Sequence, residues 1–418
     1  MITLPTTDFL TKKYNKDNSL TVFLTHHGKR MLSRLIILLS ALSLTTSFAA
    51  NAGNLIEAIT GTDPNQLSYL QDKAISVGGW VSSGGTYSTN NPSNHNNAPI
   101  SFNDRSGELQ LNQLNLFLQK TIDLESKNWN VGGRMDFMYG ADSHFTQATG
   151  WDKNLINRNN TQQYDIALPQ AYLEVFAPFG NGVSAKIGHF YTTIGEEVVT
   201  APNNFFYSHA YTMQYGEPFT HTGILLNYAL NDAFSVNAGA VTGWDNFSEN
   251  LTNWNFLGGL SWTNDDATDS VSVSVISGDV DNNTPNNRTM YSLVISHSIT
   301  SKFQYSFQQD FGYQSQATQG IDNSYWYGIN QYLFYDFTET ITGGIRGEWF
   351  RDNNGTRVNL GTPGNYFELT TGLNWKPLEW FSLRPEIRYD RTDPNNHIYD
   401  NQTKNQQFEV AMDVVLTF

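Results

Sequence analysis

Hydrophobic residues recur at every second position along most of the chain. The final stretch, FEVAMDVVLTF, places apolar side chains at 408, 410, 412, 414, 416 and 418, with Glu409 and Asp413 between them. Successive side chains of a β-strand point to opposite faces, so this stretch predicts a strand with one apolar and one mostly polar face. Both a soluble β-sandwich and an outer-membrane barrel contain such strands. One strand does not decide between the two.

Strand-like segments of this kind follow one another from residue 74 to residue 418. We count sixteen, with fourteen as the alternative, and find no helical spacing between them and no linker that would mark a second domain. Short connections such as KPLEW alternate with long polar ones such as RTDPNNHIYDNQTKNQ. Outer-membrane barrels have short periplasmic turns and long extracellular loops, whereas a sandwich has no reason to sort its connections. The sequence therefore predicts an all-β fold, a transmembrane antiparallel up-and-down β-barrel.

Most charged residues of the strands fall on the face opposite the apolar one. Lys or Arg at mid-depth on the lipid face would cost about 2–4 kcal/mol, so we expect these charges to line the lumen. The candidate pore-lining residues are Arg134, Asp136, Glu174, Lys186, Arg346, Glu348, Glu368, Arg384, Glu386, Arg388, Glu409 and Asp413. Five basic and seven acidic residues would give at most a weak preference for cations. Aromatic residues at strand ends, including Trp349 and Phe350, are expected in the interfacial girdles.

Composition agrees with a barrel. The chain has no cysteine, which excludes a disulfide scaffold, and 39% hydrophobic residues are too few for a helical membrane protein. Residues 1–52 hold six Lys or Arg and two Asp or Glu, so their removal would leave 18 basic and 37 acidic residues and a formal charge of about −19. Nucleic acid is not an expected partner of such a chain, because phosphate binding needs a basic patch.

The N-terminus predicts export. Residues 31–52 contain Arg34, an apolar run and then small residues, which is the architecture of a cleaved secretory signal peptide. The run is too short to span about 30 Å of hydrocarbon. We interpret residues 1–30 as an over-extended N-terminus and residues 53–73 as a periplasmic leader with short helical turns. The barrel is expected over 74–418, and a plug role for the leader is the less favoured alternative.

One long connection carries a distinctive motif. Residues 188–223 read GHFYTTIGEEVVTAPNNFFYSHAYTMQYGEPFTHTG. The segments GHF, YTTIG, APNNFFYSHAY and YGEPFTHTG resemble a motif of the β-barrel porins of the OmpL-like type, a family of bacterial outer-membrane proteins. In that motif the opening is usually GKF-like, whereas His189 is the middle residue here. A looser resemblance extends over residues from about 70 to 418. It implies a barrel that conducts solutes, and it supplies no assigned substrate.

The same connection is the third long loop of the predicted barrel. In general porins the third loop folds inward and narrows the pore, so we favour a constriction over an external cap, since long loops without structure of their own are often functional. The constriction candidates are Glu196, Glu197, Tyr207, His209, Tyr211, Tyr215, Glu217 and His221.

Two functions from different classes fit the sequence. One is a porin-like channel for passive diffusion of small hydrophilic solutes or ions, and the other is a barrel-anchored surface adhesin or receptor that acts through its extracellular loops. About sixteen strands leave an aqueous channel, which favours the first. The sequence contains no GxSxG, HExxH or P-loop motif, and its Asp- and Asn-rich loops lack EF-hand spacing. We therefore expect no enzyme, no cofactor and no metal site.

The last strand also predicts how the barrel reaches its membrane. Its aromatic end resembles the C-terminal signal by which outer-membrane proteins are recognised for insertion, with Phe418 as the insertion signal. The expected localisation is the outer membrane of a Gram-negative bacterium. The expected partners are outer-membrane lipid, the barrel-assembly machinery and small solutes, and both a homotrimer and a monomer remain open.

Overall fold

The computed structural model describes residues 52–153, 155–156, 163–247, 253–280, 286–318 and 321–418. The predicted N-terminal extension and nearly all of the predicted signal peptide lie outside these described residues. None of the described helices is long and apolar enough to cross a membrane.

Seventeen β-strands form one sheet in the described part of the chain. They are β1 (Ile75–Ser88), β2 (Glu108–Lys120), β3 (Asn130–Gly140), β4 (Asp165–Ala167), β5 (Ala171–Ala177), β6 (Val183–Tyr191), β7 (Thr220–Ala229), β8 (Phe234–Val241), β9 (Asn255–Thr263), β10 (Asp269–Asp279), β11 (Asn287–Thr300), β12 (Phe303–Thr318), β13 (Ile321–Asp336), β14 (Ile341–Asp352), β15 (Gly364–Leu378), β16 (Phe381–Thr392) and β17 (Gln406–Thr417).

The sheet closes on itself. Each strand pairs antiparallel with its neighbour along the chain, and β17 returns to pair with β1 from Trp80↔Thr417 to Ser88↔Glu409. The short strands β4 and β5 both pair with β3, so together they form one stave of the barrel. The described strands thus build sixteen staves, which confirms the predicted antiparallel barrel and excludes the count of fourteen.

Three short α-helices accompany the barrel among the described residues: α1 (Leu55–Thr60), α2 (Ser68–Gln71) and α3 (Ser143–Thr146). The Asn54 side chain caps α1 by accepting a hydrogen bond from the Glu57 N–H at 2.8 Å. Between α1 and α2, the Asn65 side chain donates to the Val77 carbonyl and accepts from the Val77 N–H, both at 2.9 Å. The segment that we interpret as a leader is thereby joined to the periplasmic start of β1.

The two faces of the sheet differ sharply in exposure. On β16, Ile387 is 43% exposed while its neighbour Arg388 is 0% exposed, and on β15 Leu369 is 55% exposed beside a fully buried Thr370. The apolar face is therefore the outer one, as a lipid-facing surface requires, and the charged face lines the lumen.

The prediction that Phe350 lies in the interfacial aromatic girdle is wrong. This residue is 0% exposed, because it lies on the inward face of β14 together with Arg346 and Glu348. The prediction was wrong because position at a strand end was given more weight than the two-residue period. The core of the molecule lies inside the barrel, where Phe350 packs in one cluster with Tyr211, Trp326 and other buried residues.

Candidate functional site

Residues 192–219, the connection between β6 and β7, lie inside the barrel; we call this segment loop 192–219. Its residues hydrogen bond to inward-facing side chains of β2, β10, β12, β13, β14 and β16. The contacts therefore extend around more than half of the barrel wall. A 3₁₀ turn (Ala201–Asn203) and a π-helical turn (Thr212–Gly216) shape the segment between them.

Two wall carboxylates bind the backbone of this loop. Glu386 accepts hydrogen bonds from the N–H groups of 207–208 at 2.9 and 3.1 Å. Glu348 accepts from the N–H groups of 211–212, both at 2.6 Å, and also from the Thr212 hydroxyl at 2.6 Å. Each carboxylate thus holds two consecutive peptide groups.

Three wall arginines bind the carbonyl groups of the same loop. Arg384 donates to the oxygens of 201 and 204 at 2.8 Å, Arg346 to that of 208 at 2.7 Å, and Arg388 to that of 209 at 2.6 Å. The wall arginines therefore bind carbonyl groups, and the wall carboxylates bind N–H groups, of one main-chain segment. We call Glu348, Glu386, Arg346, Arg384 and Arg388 the backbone clasp.

The clasp arginines are also ion-paired with carboxylates. Arg346 pairs with Glu368 at 3.0 Å. Arg384 lies 2.5 Å from Asp413, and Arg388 lies 2.8 Å from Asp390. All three guanidinium groups are nearly fully buried. Buried charges of this kind need partners, and here they find them in both the wall and the loop.

Glu197 carries a charge of the loop itself. Its carboxylate lies 2.7 Å from Arg346 Nη1 and 3.2 Å from His209 Nδ1, and it accepts from the Ala210 N–H at 2.9 Å. Burial alone would raise the pKa of Glu197, but Arg346, His209 and this N–H together lower it to about 2. Glu197 is therefore ionised at neutral pH.

Glycines of the wall make room for loop side chains. A Cβ at Gly328 on β13 would overlap the Thr212 hydroxyl, and one at Gly344 on β14 would overlap the Phe205 ring. Only a residue without a side chain permits such close approach. The loop therefore fits the wall by shape as well as by charge.

The remaining ring-bearing candidates of the loop region are mostly buried anchors. The Tyr207 hydroxyl donates to Asn112 Oδ1 at 3.0 Å, and the Tyr211 and Tyr399 hydroxyls share a hydrogen bond at 2.8 Å. Tyr215 donates to the carbonyl of residue 99. His221 lies on β7, and its ring nitrogens lie 2.9 Å from the Gly243 carbonyl oxygen and the Thr192 hydroxyl.

Two cavities lie beside the loop. The larger, of about 360 Å³, is lined by loop residues including Glu196 and by Lys302, Glu339 and Lys376 near the periplasmic turns; we call it the periplasmic cavity. The smaller, of about 240 Å³, is lined by Arg134, Tyr191 and Glu217 among others; we call it the side cavity. Both are lined by Glu197 and Asn203, so these two residues border both spaces.

The structure divides the constriction candidates into two groups. Glu196, Glu197 and Glu217 line the cavities, whereas Tyr207, His209, Tyr211, Tyr215 and His221 line neither of the two. Burial and the nearby Asp310 carboxylate raise the pKa of Glu217 well above its ordinary value.

Among the pore-lining candidates, Arg134 alone lines one of these two cavities, and it pairs with Asp136 at 2.6 Å. Glu174 lies directly opposite Lys186 in the register of β5 and β6. The remaining candidates belong to the clasp and its ion pairs, apart from Glu409. That carboxylate accepts from the Gln407 amide at 2.9 Å.

Sequence reasoning missed the charges that line the periplasmic cavity. Lys376 shares the inward parity of Glu368 on β15, so the two-residue period could have found it. Lys302 and Glu339 lie in short turns, where the period gives no signal. No group of three or more potential metal-ligating side chains occurs among the described residues.

A barrel of sixteen staves is wide enough to enclose an aqueous lumen, as in porins, and this one has the apolar outer face that lipid requires. The molecule is thus an outer-membrane channel protein. The chain belongs to the family described as "Putative beta-barrel porin-2, OmpL-like", whose model matches residues 74–418. The predicted family, fold and outer-membrane localisation are thereby confirmed.

Solved outer-membrane proteins share this fold at low sequence identity. The outer membrane channel DcaP of Acinetobacter baumannii is 11% identical at a TM-score of 0.52, over 82% of this chain and 97% of that chain. OprB of Pseudomonas putida is 11% identical at a TM-score of 0.55, over 84% of this chain and 96% of that chain. The trimer form of OmpT of Vibrio cholerae is 11% identical at a TM-score of 0.54, over 82% and 99%. A search of curated protein sequences found no significant match.

Proposed function

We propose that loop 192–219 is the constriction of this passive channel for small hydrophilic solutes and ions. The observation that carries the proposal is the backbone clasp, which fixes the loop across the lumen instead of above it. Four N–H groups and four carbonyl groups of the loop bind five wall side chains of β14 and β16. A segment held at so many points narrows the lumen at a fixed place.

The permeation path that we propose passes the two cavities. Solutes would leave the side cavity, pass Glu197 and Asn203, and enter the periplasmic cavity. Most clasp charges already have protein partners, so they contribute little to the field that a passing ion experiences. The residues that line the cavities are the ones that we expect to contact solutes.

Single-channel conductance in planar bilayers tests the constriction. Deleting residues 198–215 should raise unitary conductance, because the lumen would lose the segment that narrows it. Deleting residues 281–285, which lie between β10 and β11 in the sequence, is the control and should leave conductance near the wild-type value. Wild-type conductance in a folded 198–215 deletion would contradict the constriction.

A surface adhesin or receptor was the alternative function, and the family match does not support it. The family is one of channels, and we assign no catalytic role to the chain. We propose a homotrimer as the assembly, because one solved protein of the same fold is described in a trimer form. The molar mass of the protein–detergent complex measures this, and a monomer would contradict the homotrimer. Outer-membrane lipid and the barrel-assembly machinery remain proposed partners.

A further inference from the structure

Two arginines stack on one tryptophan in the extracellular half of the lumen. The guanidinium carbon of Arg288 lies 4.7 Å from the ring centroid of Trp244, and that of Arg357 lies 5.2 Å from the same ring. Arg357 also lies 4.7 Å from the Trp326 ring. Cations over an indole face are attracted to it, so the aromatic rings hold two like charges close together. We call Arg288 and Arg357 the arginine pair.

The arginine pair lies next to loop 192–219 on its extracellular side. Arg357 donates from Nε to the Tyr215 carbonyl oxygen at 2.6 Å, and Trp326 donates from Nε1 to the Gly216 carbonyl oxygen at 3.0 Å. Arg288 stands at the long-loop end of β11, with the inward parity of the buried Met290. Both arginines are partly exposed, so a solute that enters from outside can reach them before the loop.

No described carboxylate contacts either guanidinium directly. Within the described residues, no carboxylate lies within 4.0 Å of Arg288 or Arg357. Arg288 Nε donates to the Gln314 amide oxygen at 2.8 Å and Arg357 Nε to the Tyr215 carbonyl oxygen, whereas the Nη groups of both arginines donate to no described residue.

The nearby carboxylates Asp245 and Asp352 bind backbone N–H groups instead. Asp245 accepts from the backbone N–H groups of 219–220 at 2.9 and 2.8 Å. Asp352 accepts from the N–H groups of 356–358 at 2.7 to 3.0 Å. Both carboxylates act on Arg357 from a distance, and burial lowers the pKa of Arg357 to about 10 against their influence. The site therefore holds two cations whose forked N–H donors contact no anion from the part of the chain that the structure describes.

We propose that the arginine pair binds a small oxyanion, a carboxylate or a phosphate, at the extracellular entrance to the constriction. The planar guanidinium fork matches the geometry of both groups and forms two parallel hydrogen bonds to either one. The inference rests on the proposed channel function, since it assigns a solute class to the path. It also replaces the weak cation preference expected from counting wall charges, because most of those charges are paired with each other or with the loop.

Calorimetric titration of the detergent-solubilised full chain tests the site independently of conduction. Malonate and inorganic phosphate serve as the two probes, in a buffer that contains neither ion. The wild type should bind at least one of them at a single site, and R288Q/R357Q should bind it at least tenfold more weakly. R391Q/K404Q removes the same charge from two exposed positions outside both cavities and should bind like the wild type. Retained heat-modifiability on gels shows that each variant is folded.

Each outcome decides the proposal. Binding of malonate alone assigns carboxylate solutes, binding of phosphate alone assigns phosphate, and binding of both assigns the wider oxyanion class. No heat with either probe, or equal affinity in R288Q/R357Q, overturns the site. R288K/R357K keeps the charge and loses the planar fork, so its affinity should lie between those of the wild type and R288Q/R357Q. Planar-bilayer currents separate the two failures: a conducting barrel without binding refutes this site only, and binding to a non-conducting barrel refutes the channel only.

Discussion

Removing the two clasp carboxylates should release loop 192–219 without unfolding the barrel. The double variant E348A/E386A deletes the acceptors of four backbone N–H groups and of the Thr212 hydroxyl. A buried donor left without an acceptor costs about 1–3 kcal/mol. The loop borders two cavities that admit water, so the lower value applies. The four N–H groups alone then give about 4 kcal/mol. Because about 1.4 kcal/mol is a factor of ten, the docked state should lose nearly a thousandfold in population relative to the undocked one.

The readout is the distribution of single-channel conductance. The wild type should show one dominant level, because its loop is docked nearly all the time. E348A/E386A should show excursions to a larger conductance level. The cost to barrel stability should be lower than that of deleting residues 198–215. E409A is the matched control: this lumen carboxylate is also buried, and it accepts a hydrogen bond from the Gln407 amide. It should conduct like the wild type.

A single unchanged conductance level in folded E348A/E386A would refute the reasoning. It would mean that the three arginines, which bind the carbonyl groups of the loop, are sufficient alone. Excursions of equal frequency in E409A would also refute it, because they would report general loosening of the lumen. The melting transition on gels should stay within a few degrees of the wild type in both variants, since the barrel ladders are untouched.

Three further predictions follow from single positions. Gly328→Ala should displace the π-helical turn, because a Cβ there overlaps the Thr212 hydroxyl, and unitary conductance should rise. Burial raises the pKa of Asp245 to about 6 from 3.8, so the folded protein binds this proton more tightly than the unfolded one. Stability is therefore gained as pH falls from about 6 to 3.8, by about 3 kcal/mol in all, of which about 1.4 kcal/mol is present at pH 5; thermal midpoints at pH 7.5 and pH 5 measure it. Phe418→Ala should lower the amount of folded protein in the outer membrane while refolding into detergent micelles is retained, measured by heat-modifiability.

Each of these predictions has its own control. Gly347→Ala lies one strand over, where a Cβ meets no atom within 4 Å, and should leave conductance unchanged. Asp245→Asn cannot titrate, so an equal pH response in wild type and variant would contradict the role of this carboxyl. Leu416→Ala removes an apolar side chain near the same end and should insert normally. Loss of detergent refolding in Phe418→Ala would point to barrel stability instead of recognition.

The two-residue period was sufficient to predict the barrel wall but not what the wall binds. Arg346 and Glu386 point inward because a charge in lipid is costly, and this direction can be predicted from the alternation within one strand. The partner of Glu386 could not be read in this way, since residue 207 lies 179 positions away and is brought close only by the folding of the loop. Sequence alone therefore predicted that the lumen is charged and left open which charges a solute would encounter.

The arginine pair illustrates a second limit. Arg288 lies at the end of a strand, where the period gives its inward direction but not its partner, and Arg357 lies in a loop, where no period applies. Their common position depends on Trp244, which belongs to a third connection. Phe350 shows the opposite case, in which the period was informative and the strand-end rule misled. Regular segments were predictable because each residue has only two directions, whereas loops were not because their directions depend on the whole fold.

The clasp binds peptide groups, and peptide groups are the same whatever side chains they carry. Substitutions at Glu196 or Thr200, which line the cavities, need not disturb the hydrogen bonds that fix the main chain at 201, 204 and 207–212. In the constriction that we propose, the main-chain scaffold and the side chains that act as the filter are thus separable parts of one loop. A lineage could change what its channel admits by exchanging a few filter residues, and a protein engineer could rewrite the filter of this barrel while leaving its walls intact.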